Sequence, residues 1–166
     1  MRLSQTVIFL IFCSVFCFTE LVAQDKMSNK KVEKVLKKVS QDLEGEFGNW
    51  QIMYHEFPLF VLTDESSNRM RIFTPIIEEM ELKVGQMKRM LEANFHSALD
   101  AKYSLYEGFV IGIYTHPLEE LEETQMIDAL KQVVNLSKNF GTSYTSTDMM
   151  FGQSAQHTSG KKLKKS

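Results

Sequence analysis

Residues 84–114 read VGQMKRMLEANFHSALDAKYSLYEGFVIGIY, from Val84 to Tyr114. Apolar residues recur at helical spacing through Val84, Met87, Leu91, Phe95 and Ala98, widened by Met90 and Leu99. Asp100 closes this helix. The period then falls to two. Tyr103 and Leu105 alternate with Ser104 and Tyr106, Glu107-Gly108 is a tight-turn pair, and Phe109 to Thr115 resumes as a strand. A helix feeding a β-hairpin is expected, with the rest of the chain packed on it.

Upstream, Val32, Val35, Val39, Leu43 and Phe47 form one stripe opposite lysines, which predicts a first helix ended by Gly48. Trp50, Ile52 and Tyr54 alternate with Gln51, Met53 and His55 in a first strand that Pro58 interrupts. Leu59–Thr63 and Arg69–Thr74 are two further strands around the polar turn 64–68, and Pro75 ends the second of them. Downstream, His116-Pro117 breaks the sheet. Glu122 and Glu123 open a third helix, with Ile127, Leu130, Val134 and Ser137 inward and Val133 widening the stripe. Phe140-Gly141 ends it. The order α-β-β-β-α-β-β-α predicts an α+β fold with an antiparallel sheet of about five strands.

Arg2, the apolar run Val7–Phe18 and Leu21-Val22-Ala23 have the layout of a secretory signal peptide cut after Ala23. The run is shorter than the roughly 20 residues that span a bilayer. Expected domains are a signal peptide at 1–23, a folded domain at 24–152 and a disordered basic tail at 153–166. The protein is then periplasmic or secreted. Cys13 and Cys17 both lie in the signal, so the mature chain has no thiol for disulfides, nucleophilic catalysis or thiolate metal binding. Tyr144 and Met149-Met150-Phe151 are candidates for one docked segment before the tail.

The net charge of −2 argues against nucleic acid as a partner. A weak contact with anionic membrane surfaces is expected of the tail lysines Lys161, Lys162, Lys164 and Lys165. His55, His96, His116 and His157 share no element at ligand spacing, so no metal or cofactor is expected. No nucleophile, base and orienting group fall together, and a non-enzymatic protein is expected. The rival is a small-ligand or catalytic pocket between the second helix and the sheet, near Tyr54, His96 and Tyr103.

The segments LEANFHSALDAKYSL, HPLEEL and FGTSY resemble the YbjN-like proteins of the type III secretion chaperone-like superfamily. The resemblance spans Val32 to Phe151 and is most specific at residues 91–95, 101–103 and 116–118. It implies that fold, and a small dimer that holds extended client segments on apolar patches. YbjN-like proteins are cast as regulators or chaperone-like factors. Export departs from the secretion chaperones, which work in the cytoplasm.

Two of the expected strands are apolar on both faces, whereas a sheet with one wet face normally makes it polar. The second face is therefore expected to contact a client, a twin subunit or the chain's own first helix or tail. The residues expected to bind are Trp50, Tyr54, Phe60, Leu62, Val110 and Tyr114. The partner is then a protein client or a second copy in a homodimer.

Overall fold

A computed structural model describes residues 25–147. Among the described residues, three α-helices accompany a six-stranded sheet. They are α1 (Asn29–Val39), α2 (Gln86–His96) and α3 (Glu123–Lys138); the strands are β1 (Glu44–Glu46), β2 (Asn49–Tyr54), β3 (Phe57–Asp64), β4 (Arg69–Glu78), β5 (Lys102–Tyr106) and β6 (Phe109–His116). The sheet order is β1-β2-β3-β4-β6-β5, and every neighbouring pair is antiparallel. The α+β class and the element order follow the sequence reading, with one extra strand.

That strand, β1, arises where the first helix stops early. The apolar spacing continues to Leu43 and Phe47, but Ser40 has an extended backbone and its hydroxyl donates to the Met53 carbonyl. The chain leaves the helix there, and residues 44–46 pair with β2. Phe47 is exposed, and Gly48 serves the β1–β2 turn with φ +97° in place of a helix cap.

Neither proline breaks the sheet. His55 and Glu56, both at positive φ, form a two-residue turn, and Pro58 stays in β3 opposite Met53. Its carbonyl accepts from the Thr74 hydroxyl at 2.7 Å. Pro75 also stays in β4, where a register shift between Pro75 and Ile77 absorbs it and the strand runs on to Glu78. The 64–68 turn is built on Asp64, whose carboxylate accepts from the Ser66 and Ser67 hydroxyls and the Ser67 N–H. These bonds hold its pKa down to about 2.

One face of the sheet is closed. Trp50, Ile52, Leu59, Val61, Met70, Ile72, Val110 and Tyr114 are all buried beneath the helices. From α1 come Val32, Val35 and Leu36; from α3 come Met126, Ala129, Leu130, Val133, Val134 and Leu136. Gly112 lets α3 come close, since a Cβ there would sit 3.4 Å from both Leu136 Cβ and the Val133 carbonyl. Leu130, Val133 and Val134 face inward as expected, whereas Ile127 and Ser137 are only half-buried.

α2 lies beside the edge strand β5, with Met90 and Ala98 buried as expected but the rest of the helix turned from the expected side. The inward residues are Gln86, Met90 and Ala93. Val84, Met87, Leu91 and Phe95, expected to pack inward, are exposed. Polar anchors decide the orientation. Asn94 donates to the Tyr103 carbonyl at 3.0 Å and accepts from the Tyr103 N–H at 2.7 Å, so the helix covers the outer edge of β5. Lys102 Nζ donates to the Asn94, Ala98 and Leu99 carbonyls at the helix C-terminus, and its burial lowers its pKa. Tyr144 beyond α3 docks as expected, buried against Tyr103 and Phe140. The expected signal peptide at 1–23, Met149-Met150-Phe151 and the expected boundary at residue 152 lie outside the described residues.

Candidate functional site: the open sheet face

The register assembles the second face strand by strand. Residues directly opposite in an antiparallel pair point to the same side. Gln51, Phe60, Phe73, Ile113 and Lys102 make one row across the sheet, from β2 to β5. Leu62, Arg71 and Thr115 flank it on one side. Pro75, Ile111 and Ser104 flank it on the other, followed by Phe109 and Tyr106 at the hairpin end. Phe60 stacks on Phe73 at 5.2 Å, and Phe73 meets Tyr106 edge-on at 6.0 Å.

This face is apolar at its centre and polar at its rim. No helix lies over it among the described residues. Tyr106 is 52% exposed and Phe109 41%. Phe60, Leu62, Phe73 and Ile113 are half-buried by one another. Two shallow grooves of about 330 and 320 Å³ share Phe73, Tyr106 and Ile111, with Ile111 buried between them. The first continues past Leu62 and Arg71, and the second past Phe60 and Pro75. Glu107 borders the second groove and holds the Tyr106 phenol above its usual pKa through a hydrogen bond. Such an elongated surface suits an extended, partly apolar chain segment better than a compact ligand.

Of the six residues expected to bind, only Phe60 and Leu62 are on this face. Trp50, Tyr54, Val110 and Tyr114 lie under the helices and are unavailable to a partner in this fold. Period-two alternation tells which residues of one strand share a face, but not which face of the next strand they join. The missed residues are Phe73, Ile111, Ile113, Tyr106 and Phe109. The Glu107-Gly108 turn carried a usable signal, because it sets Tyr106 opposite Phe109 and so puts Ile111 and Ile113 on the side of Tyr106.

The rival pocket is not assembled. Tyr54 is on β2 and Tyr103 on β5, with three strands between them, or about 19 Å at normal strand spacing. Both are buried, and the Tyr103 hydroxyl donates to the Leu136 carbonyl at 2.8 Å. Burial raises the pKa of each phenol. His96 is exposed at the end of α2. Among the described residues, no three His, Cys, Asp or Glu side chains are grouped to hold a metal, and no helix is long and apolar enough to cross a membrane.

No protein-family model matches the chain, and no curated protein is similar to it in sequence. Its fold is nevertheless found among solved structures. The structure of the Yersinia pestis type III secretion chaperone SycH, in complex with a stable fragment of YscM2, matches with a TM-score of 0.51 at 12% identity. That match covers 68% of this chain and 98% of the other. The ExsC–ExsE complex contains a chain that matches with a TM-score of 0.52 at 13% identity, covering 68% of this chain and 95% of that one. The fold is therefore type III secretion chaperone-like.

Proposed function

We propose that this protein is a non-enzymatic, chaperone-like domain that holds an extended segment of another protein on its open sheet face. The observation that carries this reading is the apolar floor of Phe60, Leu62, Phe73, Ile111 and Ile113 on a sheet whose other face is already closed. A protein occupant is favoured because the similar folds are described in complexes, SycH with a fragment of YscM2 and ExsC with ExsE. A second copy of this chain on the same face, forming a homodimer, is the competing occupant.

The setting we propose is the bacterial envelope, with the signal cut after Ala23 and the folded domain at 24–152. Arg2, the apolar run Val7–Phe18 and the small residue Ala23 support it. Within the superfamily we assign the chain to the YbjN-like proteins, on residues 91–95, 101–103 and 116–118.

The test compares the wild type with Phe73→Asp/Ile113→Asp. Both residues are half-buried on the open face and away from the helix-covered core. Tagged chains are expressed in the native host and recovered from its envelope, with circular dichroism as the check on folding. The wild type is expected to retain at least one other protein that the folded double variant loses. Retention of the same proteins by both chains would contradict the reading. So would light scattering that shows the face occupied only by a second copy.

A further inference from the structure

The open sheet face carries opposite charges at its two ends. Arg71 stands at one end, on β4 opposite Leu62 and Thr115, and lines the first groove with Phe73 and Tyr106. Glu78 stands at the other end of the same strand, opposite Phe109. Glu107, in the β5–β6 turn, borders the second groove at that same end. All three side chains are exposed. A hydrogen bond from the Tyr106 phenol holds the Glu107 carboxylate at the rim.

No ion pair engages Arg71, Glu78 or Glu107 among the described residues. Along the row of Arg71, the next charged residue toward β1 is Glu46, beyond Leu62 and Asn49 and three strands away, or about 14 Å. The other cations of this face are engaged. Lys102 Nζ is taken by three carbonyls at the end of α2, and Arg69 donates to the Asn68 carbonyl. A free guanidinium and two carboxylates without a cation therefore lie at opposite ends of an apolar floor of Phe73, Ile111 and Ile113. The distance between the ends, from Thr115 to Phe109 on β6, is about 20 Å.

We propose that the segment held on this face sets a carboxylate side chain over Arg71 and a cationic side chain over Glu78 and Glu107, with apolar side chains between them. The proposal rests on the client-binding role above and adds its charge register. In an extended chain, about 20 Å corresponds to about six residues. An even spacing puts both charges on the side of the segment that faces the sheet, together with the apolar residues at alternate positions between them. Size favours a chain segment over a second copy. The apolar patch spans three strand spacings from β3 to β5, about 14 Å, by about 20 Å along the strands. That is roughly 300 Å², against about 800 Å² per partner in an interface of standard size.

The purified wild type, Arg71→Glu and Glu78→Lys/Glu107→Lys are each used to select from a displayed library of random peptides, whose length of about ten residues covers the trough. The substitutions are at exposed positions, and circular dichroism checks folding. The wild type is expected to enrich peptides with apolar residues at alternate positions and an acidic residue about six positions from a basic one. Arg71→Glu should lose the acidic preference and bind a peptide selected on the wild type about three- to tenfold more weakly, as one exposed pair is replaced by a like-charge contact. Glu78→Lys/Glu107→Lys should lose the basic preference. Both preferences should fade at 1 M salt, where the screening length is about 3 Å. Apolar enrichment with no charge preference in all three proteins would overturn the register and leave the client-binding role standing. No enrichment of apolar residues by the wild type would contradict both. A wild-type dimer in light scattering that Arg71→Glu dissolves would assign the charged ends to a second copy and overturn the proposal.

Discussion

Gln132→Leu is expected to lower the free energy of unfolding by about 1–3 kcal/mol, although leucine is close to glutamine in volume and better suited to a core. Gln132 is 1% exposed in the middle of α3. Its side-chain carbonyl accepts from the Asp100 and Ala101 N–H groups at 3.0 and 3.1 Å. Its amide donates to Asp128 at 2.7 Å and to Asp100 at 3.2 Å. One side chain therefore satisfies the backbone where the chain passes from α2 into β5. Leucine would leave the buried Ala101 N–H without an acceptor, which costs roughly 1–3 kcal/mol, whereas Asp100 is exposed and its N–H can turn to water. Urea denaturation of both proteins measures the difference. A midpoint unchanged from the wild type would show that Gln132 is dispensable to the junction.

Trp50→Ala is expected to cost about 3–5 kcal/mol, the range for removing a buried aromatic from a packed core. Trp50 is 1% exposed, pairs with Val61 on β3, and lies on the closed face with Leu59 and Ile72. The open face supplies the comparison. Phe73 is half-buried, and its ring contacts are with Phe60 and Tyr106. Its truncation should remove roughly 1 kcal/mol of aromatic pairing beyond the modest area it buries. Equal losses at Trp50 and Phe73 in denaturant melts would mean that the two faces are not distinguished as described.

Strands β2 to β6 were legible in the sequence, β2 and β4 most plainly because their burial alternates with period two, and the α+β class follows from their order. Where the reading failed, a specific polar group overrode a pattern. Apolar spacing carried the first helix on to Phe47, but the Ser40 hydroxyl bonds to the Met53 carbonyl and the chain turns into β1. Apolar spacing also turned α2 too far, placing Met87, Leu91 and Phe95 inward along with the buried Met90 and Ala98. Asn94 and Gln86 are polar, yet both point toward the body of the protein, where the Tyr103 backbone and the Lys83 N–H bond to them. Gln132 passed unnoticed in the sequence for the same reason, since its partners are backbone groups distant in the chain. Pro58 and Pro75 were read as strand breakers, but register and a bulge accommodate them.

The site was half legible. A sheet with too much apolar surface for one core was evident from Leu59–Leu62 and Phe109–Tyr114. The choice of face was not. Phe60 shares a face with Phe73 and Ile113 only because β3, β4 and β6 pair in this register. A shift of one residue would have exchanged them for Val61, Ile72 and Tyr114.

A protein held on the open sheet face must lie within crosslinking reach of Phe60. Photo-crosslinking in the native host tests this, with a photoreactive phenylalanine analogue at Phe60 on that face or at the exposed Lys34 on α1. A discrete crosslink to a different protein is expected from position 60 and none from position 34. Crosslinks from position 60 that join only two copies of this chain, or none from position 60 while position 34 captures a partner, would contradict it.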